Sequence, residues 1–259
     1  MLLNSTELFG TPRHLVMDPV HGGIPFFTHE QKVLDHPLCQ RLRHIKQNDI
    51  LHFVFPGATH TRFEHCLGTM HVAGRIFKNM IRNYLTNRGQ LELTEDQIDA
   101  VQYCYGCLRL AALLHDVGHM PFSHQFEEAE AGRSLLKCPD IVSAIWTQDL
   151  IHLIGQAPQS LRHEHYSLRA AHEILTTTKK EGNLPFDEND IIGMMEDGSP
   201  PPSQKFCDSA VSTLNLFSKV PEIVATFPSA KVGVAIRDLF KDIISGEIDA
   251  DKMLSLIHI

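Results

Sequence analysis

Leu113-Leu114-His115-Asp116-Val117-Gly118-His119 sets an imidazole beside a carboxylate directly after an apolar run. The apolar positions before this stretch recur at helical spacing, so the pattern predicts a helix that ends at Leu114. Gly118 follows as a helix stop, which puts His115 and Asp116 at the C-terminal end. Both side chains can turn toward one metal ion there. The structural alternative is a capped helix end at which the helix dipole favours a histidine.

Further imidazoles surround this pair. His119 and His124 follow shortly after it, and upstream the stretch Arg62-Phe63-Glu64-His65 opens a second amphipathic pattern. That pattern predicts His65 in the first turn of a long helix. So many polar rings are costly in a protein interior unless a charge or a metal ion organises them. The sequence therefore predicts pieces of one metal site.

The rest of the chain is dominated by helical spacing, and strand signals are scarce. We therefore predict an all-α helical bundle with a loop-rich N-terminal segment. The predicted elements are a loop with a short hairpin over 11–27, helices over 30–50 with a start at Pro37, a capping box at Thr94-Glu95-Asp96-Gln97, helices over 161–175 and 187–195, and a Pro- and Ser-rich loop over 197–204.

Composition narrows the class of protein. The chain has 259 residues, of which 43% are hydrophobic, and this is enough for one large domain. Its formal net charge of −8 differs from the basic balance of nucleic-acid-binding domains. The six cysteines have irregular spacing, which favours a reducing compartment over a disulfide framework. We therefore expect an intracellular protein, of nucleus or cytoplasm. We also expect no membrane partner, because no apolar run approaches the roughly 20 residues of a membrane span.

The residue types in the predicted metal site indicate hydrolysis. Neutral imidazoles and carboxylates together suit Mn, Fe, Zn or Mg, with positions left for water and phosphate oxygen. Such an ion lowers the pKa of its water and neutralises phosphate charge, while a histidine protonates the leaving oxygen. Cys104-x-x-Cys107 has zinc-site spacing but no second pair, so two buried helix thiols are predicted. Arg41 and Arg43 form either a solvated helix face or a phosphate-binding pair.

Several segments resemble the HD-domain phosphohydrolase superfamily, and most closely its deoxynucleoside triphosphate triphosphohydrolases that carry a sterile alpha motif and an HD domain. They follow the order and spacing of that family over about residues 14 to 175. The segments are Asp18-Pro19-Val20-His21-Gly22, Gln40-Arg41-Leu42-Arg43-His44-Ile45-Lys46-Gln47, Phe55-Pro56-Gly57-Ala58-Thr59-His60, Arg62-Phe63-Glu64-His65, and the stretch from His115 to His124.

The resemblance implies a reaction and the residues that perform it. Water-derived attack at the α-phosphorus of a deoxynucleoside triphosphate would release a deoxynucleoside and inorganic triphosphate, and so control dNTP levels. His119 or His124 would be the acid for the leaving 5′-oxygen. The implied residues are His65, His115 and Asp116 as metal ligands, Arg62, His119, His124 and His163 as catalytic residues around the phosphates, and Gln47 with Arg62 against the substrate.

A regulatory site is implied as well. Asp35, Gln40 and Arg43 match residues that hold a guanine nucleotide between subunits in this family. The resemblance therefore implies activation by GTP or dGTP and assembly of the full-length protein into a homo-oligomer, either a dimer or a tetramer. The chain departs from the family pattern at His14 and Met17 near this site.

The C-terminal segment predicts a gap in the metal site. In the family, a fourth ligand is the Asp that closes a segment of the form Asp-x-Asp-Lys/Arg-x-Asp-Tyr-x-x-Arg-Asp. This chain follows the pattern through Ile248–Met253, and the closing position falls on Ile259. We therefore expect a site with one ligand missing. Residues 254–259 also match the translation of a sequencing adapter, so we expect an incomplete HD domain over 1–253 and a non-native tail over 254–259, the alternative being a chance apolar end.

Three functions remain open on these observations, all with a small-molecule nucleotide as ligand. The first is a metal-dependent dNTP triphosphohydrolase. The second is another HD phosphohydrolase, a nucleotide phosphatase or phosphodiesterase, which would not release inorganic triphosphate. The third is a catalytically inactive nucleotide-sensing domain, which the expected missing ligand and the family departure at Asn48-Asp49, beside the sugar, both suggest.

Overall fold

A computed structural model describes residues 5–88, 93–154, 158, 160–182, 184–195, 201–217, 224, 226–246 and 249–257. These residues form helices joined by loops, with one two-stranded hairpin and one isolated bridge, so the prediction of an all-α bundle is confirmed. The elements are α1 (Ser5–Phe9), β1 (His14–Asp18), β2 (Gly22–Phe26), α2 (Thr28–Leu34), α3 (Pro37–Gln40), 3-10 turns at Arg41–His44 and Leu51–Phe53, α4 (Arg62–Arg88), α5 (Glu95–Leu114), α6 (Ser123–Glu128), α7 (Glu130–Leu136), α8 (Pro139–Ile145), α9 (Gln148–Ile154), α10 (His163–Lys180), α11 (Glu188–Ile192), α12 (Gln204–Phe217), α13 (Ser229–Ser245) and α14 (Ala250–Ile257).

The centre of the fold is the pair α4 and α5. From Ala100 to Leu114 every residue of α5 except Gln102 is buried, because other elements cover it on several sides. Helix α4 and α12 pack along it, α13 packs on α12, and α14 lies against α4. Since α4 begins at Arg62 and α5 ends at Leu114, the predicted positions of His65 and His115 on their helices are confirmed.

Thr94 is the N-cap of α5 and forms a capping box with Gln97. Its hydroxyl accepts a hydrogen bond from the Gln97 backbone N–H at 3.3 Å, and the Gln97 side-chain oxygen accepts one from the Thr94 N–H at 3.0 Å. Thr94→Ala is expected to lower the free energy of unfolding by about 1 kcal/mol, because it leaves a helix-end donor without its cap. Urea unfolding measures the change. Thr177→Ala inside α10 is the control, and an equal loss there would contradict the role of the cap.

The predicted helix over 30–50 is wrong beyond His44. After the 3-10 turn at Arg41–His44 the chain becomes extended, and Lys46 pairs with Thr61 in an antiparallel bridge. The Arg62 N–H donates to the Ile45 carbonyl at 2.9 Å, and the Gln47 N–H donates to the His60 carbonyl at 3.2 Å. Pairing with the segment before α4 thus replaces the helix, and it brings Gln47 close to the start of α4.

The remaining predicted elements agree with the structure where it describes them. The hairpin pairs His14 with Phe26 and Asp18 with Gly22. Helix α10 begins at His163 and includes the rest of the predicted 161–175, and α11 ends at Ile192, three residues before the predicted end. Asp187 caps α11 by accepting from the Asn189 N–H at 2.9 Å. The predicted loop over 197–204 lies outside the described residues from 197 to 200. No helix in the described ranges has the length and apolar character to cross a membrane.

A buried ion pair ties the N-terminal segment to α5. The Arg109 guanidinium donates to both carboxylate oxygens of Glu30 at 2.5 and 2.8 Å, and to the Pro25 carbonyl at 3.0 Å. Neither charged side chain is more than 2% exposed. Although burial lowers it, the adjacent Glu30 carboxylate holds the pKa of Arg109 above its ordinary value. The pair therefore stays charged and fixes α2 and the hairpin on the central helix.

Candidate metal centre

His115 presents one ring nitrogen for a metal ion. It is the C-cap of α5, and its Nδ1 donates to the Ala112 carbonyl at 2.8 Å. Because a carbonyl only accepts, Nδ1 carries the proton and Nε2 has a free lone pair. Nε2 is shielded from solvent and has no hydrogen-bond partner among the described residues. A backbone carbonyl that fixes the tautomer in this way is typical of a metal-binding histidine.

His65 approaches the same point from the first turn of α4. Its side chain is fully buried, and its Nε2 lies 3.8 Å from Asp116 Oδ2. On the other side of the ring, the Gln47 amide nitrogen lies 2.8 Å from His65 Nδ1. The Gln47 amide oxygen lies 2.5 Å from His60 Nε2, so the amide connects two imidazoles. Gln47, expected against the substrate sugar, is therefore placed where it orients the His65 ring.

Asp251 supplies the carboxylate that the sequence was expected to lack. Its Oδ1 lies 2.9 Å from His65 Nε2 and 3.9 Å from His115 Nε2. Helix α14 begins at Ala250, with the Asp249 carboxylate capping its first turn by accepting from the Lys252 N–H at 2.6 Å, and α14 packs on α4. The first turn of α14 thereby faces the metal site. The expected ligand position, Ile259, lies outside the described residues, and Asp251 is a candidate for the ligand that the sequence was expected to lack.

Four side chains could therefore hold one divalent ion: His65, His115, Asp116 and Asp251. His65, His115 and Asp251 have ligand atoms within 4.8 Å of one another, and different carboxylate oxygens of Asp116 lie 3.8 Å from His65 Nε2 and from His115 Nε2. Ligand atoms about 2.1 Å from a shared ion are separated by roughly 3 to 4 Å, so the set fits a metal. Although burial raises it, the neighbouring His115 imidazole and the Arg62 guanidinium hold the pKa of Asp116 well below its usual range. Asp116 is therefore ionised and ready to bind a cation.

Arg62 forms a hydrogen bond to the carboxylate of Asp116. Its Nη1 donates to Asp116 Oδ2, and its Nη2 lies 3.4 Å from the Gln47 carbonyl. The Arg62 side chain is buried, with 6% exposure. Arg62 therefore fixes the orientation of Asp116, and its positive charge faces the metal site. Its contact with substrate phosphates remains a prediction.

Two predicted catalytic histidines lie together beside Asp116. The rings of His119 and His163 stack with their centroids 4.2 Å apart, and His119 Nε2 lies 3.7 Å from Asp116 Oδ1. Glu127, which the sequence did not single out, accepts from the His163 N–H at 2.6 Å and lies 3.2 Å from its Nδ1. The only sequence signal for Glu127 was its closeness to the histidine cluster. His124 lies on α6, and its side chain is outside the described part of the structure.

Arg41 contacts the protein backbone, a role that the sequence analysis did not consider beside a solvated helix face and phosphate binding. Its half-buried guanidinium donates to the His119 carbonyl at 2.8 Å and to the Val117 carbonyl at 2.6 Å. These carbonyls follow the end of α5, where backbone acceptors lack helical partners. Arg41 thus holds the turn that carries Asp116 and His119. The unpaired carbonyls at a helix end need a hydrogen-bond donor. The spacing of the sequence does not show which arginine supplies it.

Gly118 lets this turn pack directly on α10. Its N–H donates to the Ser167 hydroxyl at 3.0 Å, and a Cβ at this position would lie 2.0 Å from the Ser167 backbone nitrogen. Gly118→Ala is therefore expected to lower the free energy of unfolding by about 1 to 3 kcal/mol, because the backbone must move. Urea unfolding measures this loss. Gly57→Ala, where nothing lies within 4 Å of the added Cβ, is the control, and equal effects would contradict the packing argument.

The predicted regulatory residues lie together near the end of α3. Gln40 donates to the Leu34 carbonyl at 2.7 Å and accepts from Arg43 Nε at 2.8 Å. The Arg43 guanidinium also lies 3.6 Å from the centroid of the Phe63 ring. Asp35 is exposed at the C-cap of α2. A nucleotide at this place remains a prediction.

The cysteine prediction is confirmed. Cys104 and Cys107 are free, fully buried thiols on α5. Burial raises the pKa of Cys104 to about 12, so it stays a neutral thiol. Neither residue belongs to the histidine and aspartate groups that could hold a metal ion.

Comparison with known proteins finds a family match over the region that carries His65, His115 and Asp116. Residues 62–176 match the model of the HD domain family. The deoxynucleoside triphosphate triphosphohydrolase SAMHD1 of Bos taurus is 34% identical over 76% of this chain, which is 28% of that relative. The human SAMHD1 is 39% identical over 44% of the chain and 16% of the relative. An uncharacterised protein of Methanocaldococcus jannaschii is 38% identical over 44% of the chain and 20% of the relative. The chain thus spans less than a third of the length of these relatives.

Proposed function

Because this chain belongs to the HD-domain phosphohydrolase family, we propose that it hydrolyses deoxynucleoside triphosphates to deoxynucleosides and inorganic triphosphate with a divalent metal ion. The observation that carries the proposal is the group of His65, His115 and Asp251, whose ligand atoms lie within 4.8 Å of one another, with Asp116 3.8 Å from both imidazoles. The choice of substrate is supported by the relatives named deoxynucleoside triphosphate triphosphohydrolase. Its role would be control of dNTP levels inside the cell.

The four convergent side chains would hold the ion. When bound, such an ion lowers the pKa of its water and neutralises phosphate charge in the transition state. Arg62 keeps the Asp116 carboxylate turned toward the site, and the Ala112 carbonyl keeps His115 in the ligating tautomer. Gln47 orients His65 through the contact of its amide with Nδ1. Mn, Fe, Zn and Mg all suit this mixture of nitrogen and oxygen ligands.

The histidine pair beside Asp116 supplies the proton in this proposal. Glu127 contacts His163 through its ring Nδ1 and its backbone N–H, which fixes the ring against His119. The Glu127 carboxylate contacts His163 on one side of the stacked pair, and the Asp116 carboxylate lies 3.7 Å from His119 on the other. We assign His119 as the acid for the leaving 5′-oxygen, with His124 as the alternative and His163 as its neighbour.

Product analysis tests the proposed reaction. The protein is incubated with dGTP and Mn²⁺, with Fe²⁺, Zn²⁺ and Mg²⁺ in parallel, and the phosphate products are separated by ion chromatography. Inorganic triphosphate is expected, and His115→Ala or Asp116→Ala should reduce its release more than about a thousandfold. His152→Ala, an exposed histidine on α9, is the control. Release of monophosphate or pyrophosphate would show another phosphohydrolase, and binding without turnover would show a nucleotide sensor. Asp251 as a fourth ligand would favour the enzyme over the sensor.

The regulatory site and the oligomer belong to the same proposal. Gln40 and Arg43 are hydrogen-bonded and Asp35 is exposed nearby, which supports a guanine nucleotide at a subunit contact. Sedimentation velocity with GTP or dGTP is expected to show a dimer or tetramer for the native protein. Arg43→Ala should weaken that assembly, while Arg133→Ala on α7 should leave it unchanged. An unchanged oligomer in both variants would contradict the regulatory role.

A further inference from the structure

One short segment contacts both helix ends that carry candidate metal ligands. It consists of residues 41–47, which follow α3, and we call it the bracing segment. Near its C-terminal end, the Ile45 carbonyl accepts from the Arg62 N–H at 2.9 Å. The Gln47 amide nitrogen lies 2.8 Å from His65 Nδ1. The C-terminal end of the bracing segment is thus fixed to the start of α4, while its N-terminal end contacts the turn after α5.

Arg41 makes the contact at the N-terminal end of the bracing segment. Its Nη1 donates to the His119 carbonyl at 2.8 Å, and its Nη2 donates to the Val117 carbonyl at 2.6 Å. Hydrogen bonds from a charged donor are roughly twice as strong as neutral ones. Val117 directly follows Asp116 in the chain, so the two acceptors belong to the backbone that orients Asp116 and His119. The guanidinium therefore holds this backbone at two points.

One side of the turn borders a cavity instead of packed side chains. Gly118 and Met120 line this cavity of about 610 Å³, together with Arg41 and residues of α8 and α10. Direct packing of the turn occurs on another side, where Gly118 lies against the backbone of Ser167. On the cavity side, the two hydrogen bonds from Arg41 take the place of packing contacts. The cavity is also large enough to admit a free guanidinium ion if the Arg41 side chain is shortened.

We propose that Arg41 is a positioning residue of the candidate metal centre, which aligns Asp116 and His119 with the ligand on α4 through the bracing segment. The proposal rests on the proposed function, because it takes His65 and Asp116 as ligands of a metal ion. Arg41 acts through two backbone carbonyls and touches neither the metal nor the substrate. Loss of its guanidinium should let the turn move, and the Asp116 carboxylate would then shift relative to His65.

Binding of Mn²⁺ to the whole chain, measured by isothermal titration calorimetry, tests the proposal without any turnover. Arg41→Ala should weaken this binding about 10- to 100-fold, the range found for outer-shell partners of metal ligands. The electron paramagnetic resonance spectrum of the bound Mn²⁺ should change as well, because its zero-field splitting depends on the arrangement of the ligands. Arg41→Lys keeps the charge but offers a point donor in place of a planar fork, so it should restore only part of the affinity.

Chemical rescue tests the contact with the two carbonyls directly. Guanidinium chloride, far below denaturing concentrations, should enter the cavity of Arg41→Ala and recover part of the Mn²⁺ affinity. Sodium chloride at the same concentration should recover none, because a sodium ion has no planar set of donors.

Two control variants separate positioning from general stability. Thr94→Ala removes the cap of α5 about 30 Å from the end that carries the turn, since a helix rises about 1.5 Å per residue over the 20 residues of α5. Arg169→Ala removes a guanidinium that lines the same cavity but pairs with Glu173 at 3.1 Å. Both should bind Mn²⁺ as the wild type does. Circular dichroism verifies that each variant folds, and Arg41→Lys carries the test if Arg41→Ala does not.

The outcomes separate this proposal from the proposed function. Weaker Mn²⁺ binding in Arg41→Ala, recovered by guanidinium and absent from both controls, would support the positioning role, even if no triphosphate were released from dGTP. Wild-type affinity and a wild-type spectrum in Arg41→Ala would overturn it, whatever the nucleotide products. An equal loss in Thr94→Ala would overturn it too, because general destabilisation would then explain the effect. Full affinity in Arg41→Lys without rescue by guanidinium would show that charge alone matters, and would also overturn it.

Discussion

Asp251→Ala is expected to lower the affinity for a divalent ion by more than about a hundredfold, since removal of even an outer-shell partner of a metal site costs about 10- to 100-fold. Asp251 is the carboxylate closest to His65, at 2.9 Å, and its loss leaves two imidazoles and one carboxylate. Although burial raises it, the contact with His65 and the charge of His115 keep the pKa of Asp251 low. Phosphohydrolase activity should fall with the metal.

Metal content by elemental analysis and affinity by calorimetry measure the effect. Asp238→Ala on α13 is the matched control, because its carboxylate is 62% exposed and lies at the surface. The result also decides between two ligand sets. A site with three ligands and a gap at Ile259 would be unaffected by Asp251→Ala, so wild-type affinity in this variant would contradict the structure.

Glu30→Gln is expected to destabilise the protein by about 3 to 5 kcal/mol, because it leaves the buried Arg109 charge without its counterion. Both partners are essentially inaccessible to water, and the guanidinium contacts both carboxylate oxygens. A loss of this size is a large part of the roughly 5 to 15 kcal/mol that stabilises most proteins. Urea unfolding of the variant, compared with the wild type, measures it.

Two further variants test whether the unpaired Arg109 charge causes the loss of stability in Glu30→Gln. Glu173→Gln removes a carboxylate from the exposed pair with Arg169, and should cost less than about 1 kcal/mol because water screens that pair. Glu30→Leu combined with Arg109→Met removes both buried charges together. It should recover most of the lost stability, since no uncompensated charge remains. If the double variant were as unstable as Glu30→Gln, shape and not charge would explain the loss.

Much of the metal centre could be predicted from local patterns. Apolar spacing predicted α4 and α5, and the helix-stop Gly118 predicted the place of His115 and Asp116. Asp251 was missed because the C-terminal segment has several aspartates. Their spacing alone does not show which one the first turn of α14 directs toward α4. Glu127 was missed for a related reason, since its contact with His163 joins residues 36 apart in the chain.

Long-range backbone pairing explains why the helix predicted over 30–50 is wrong at its C-terminal end. Residues 45–47 follow a helical pattern, yet they pair with the segment before α4, and this contact outweighs helix propensity. Arg41 reaches carbonyls 76 and 78 residues away, which no sequence window shows.

The position of Asp251 also governs the order in which the site is assembled. His65 and His115 lie on the paired central helices, whereas Asp251 comes 136 positions after His115 and reaches them only when α14 docks on α4. In a chain still being synthesised, the site therefore stays incomplete until residue 251 has emerged and α14 has docked. Ion binding and docking of α14 would strengthen each other by equal amounts, because linkage is reciprocal. An ion at this site would therefore make the attachment of α14 depend on the free metal concentration.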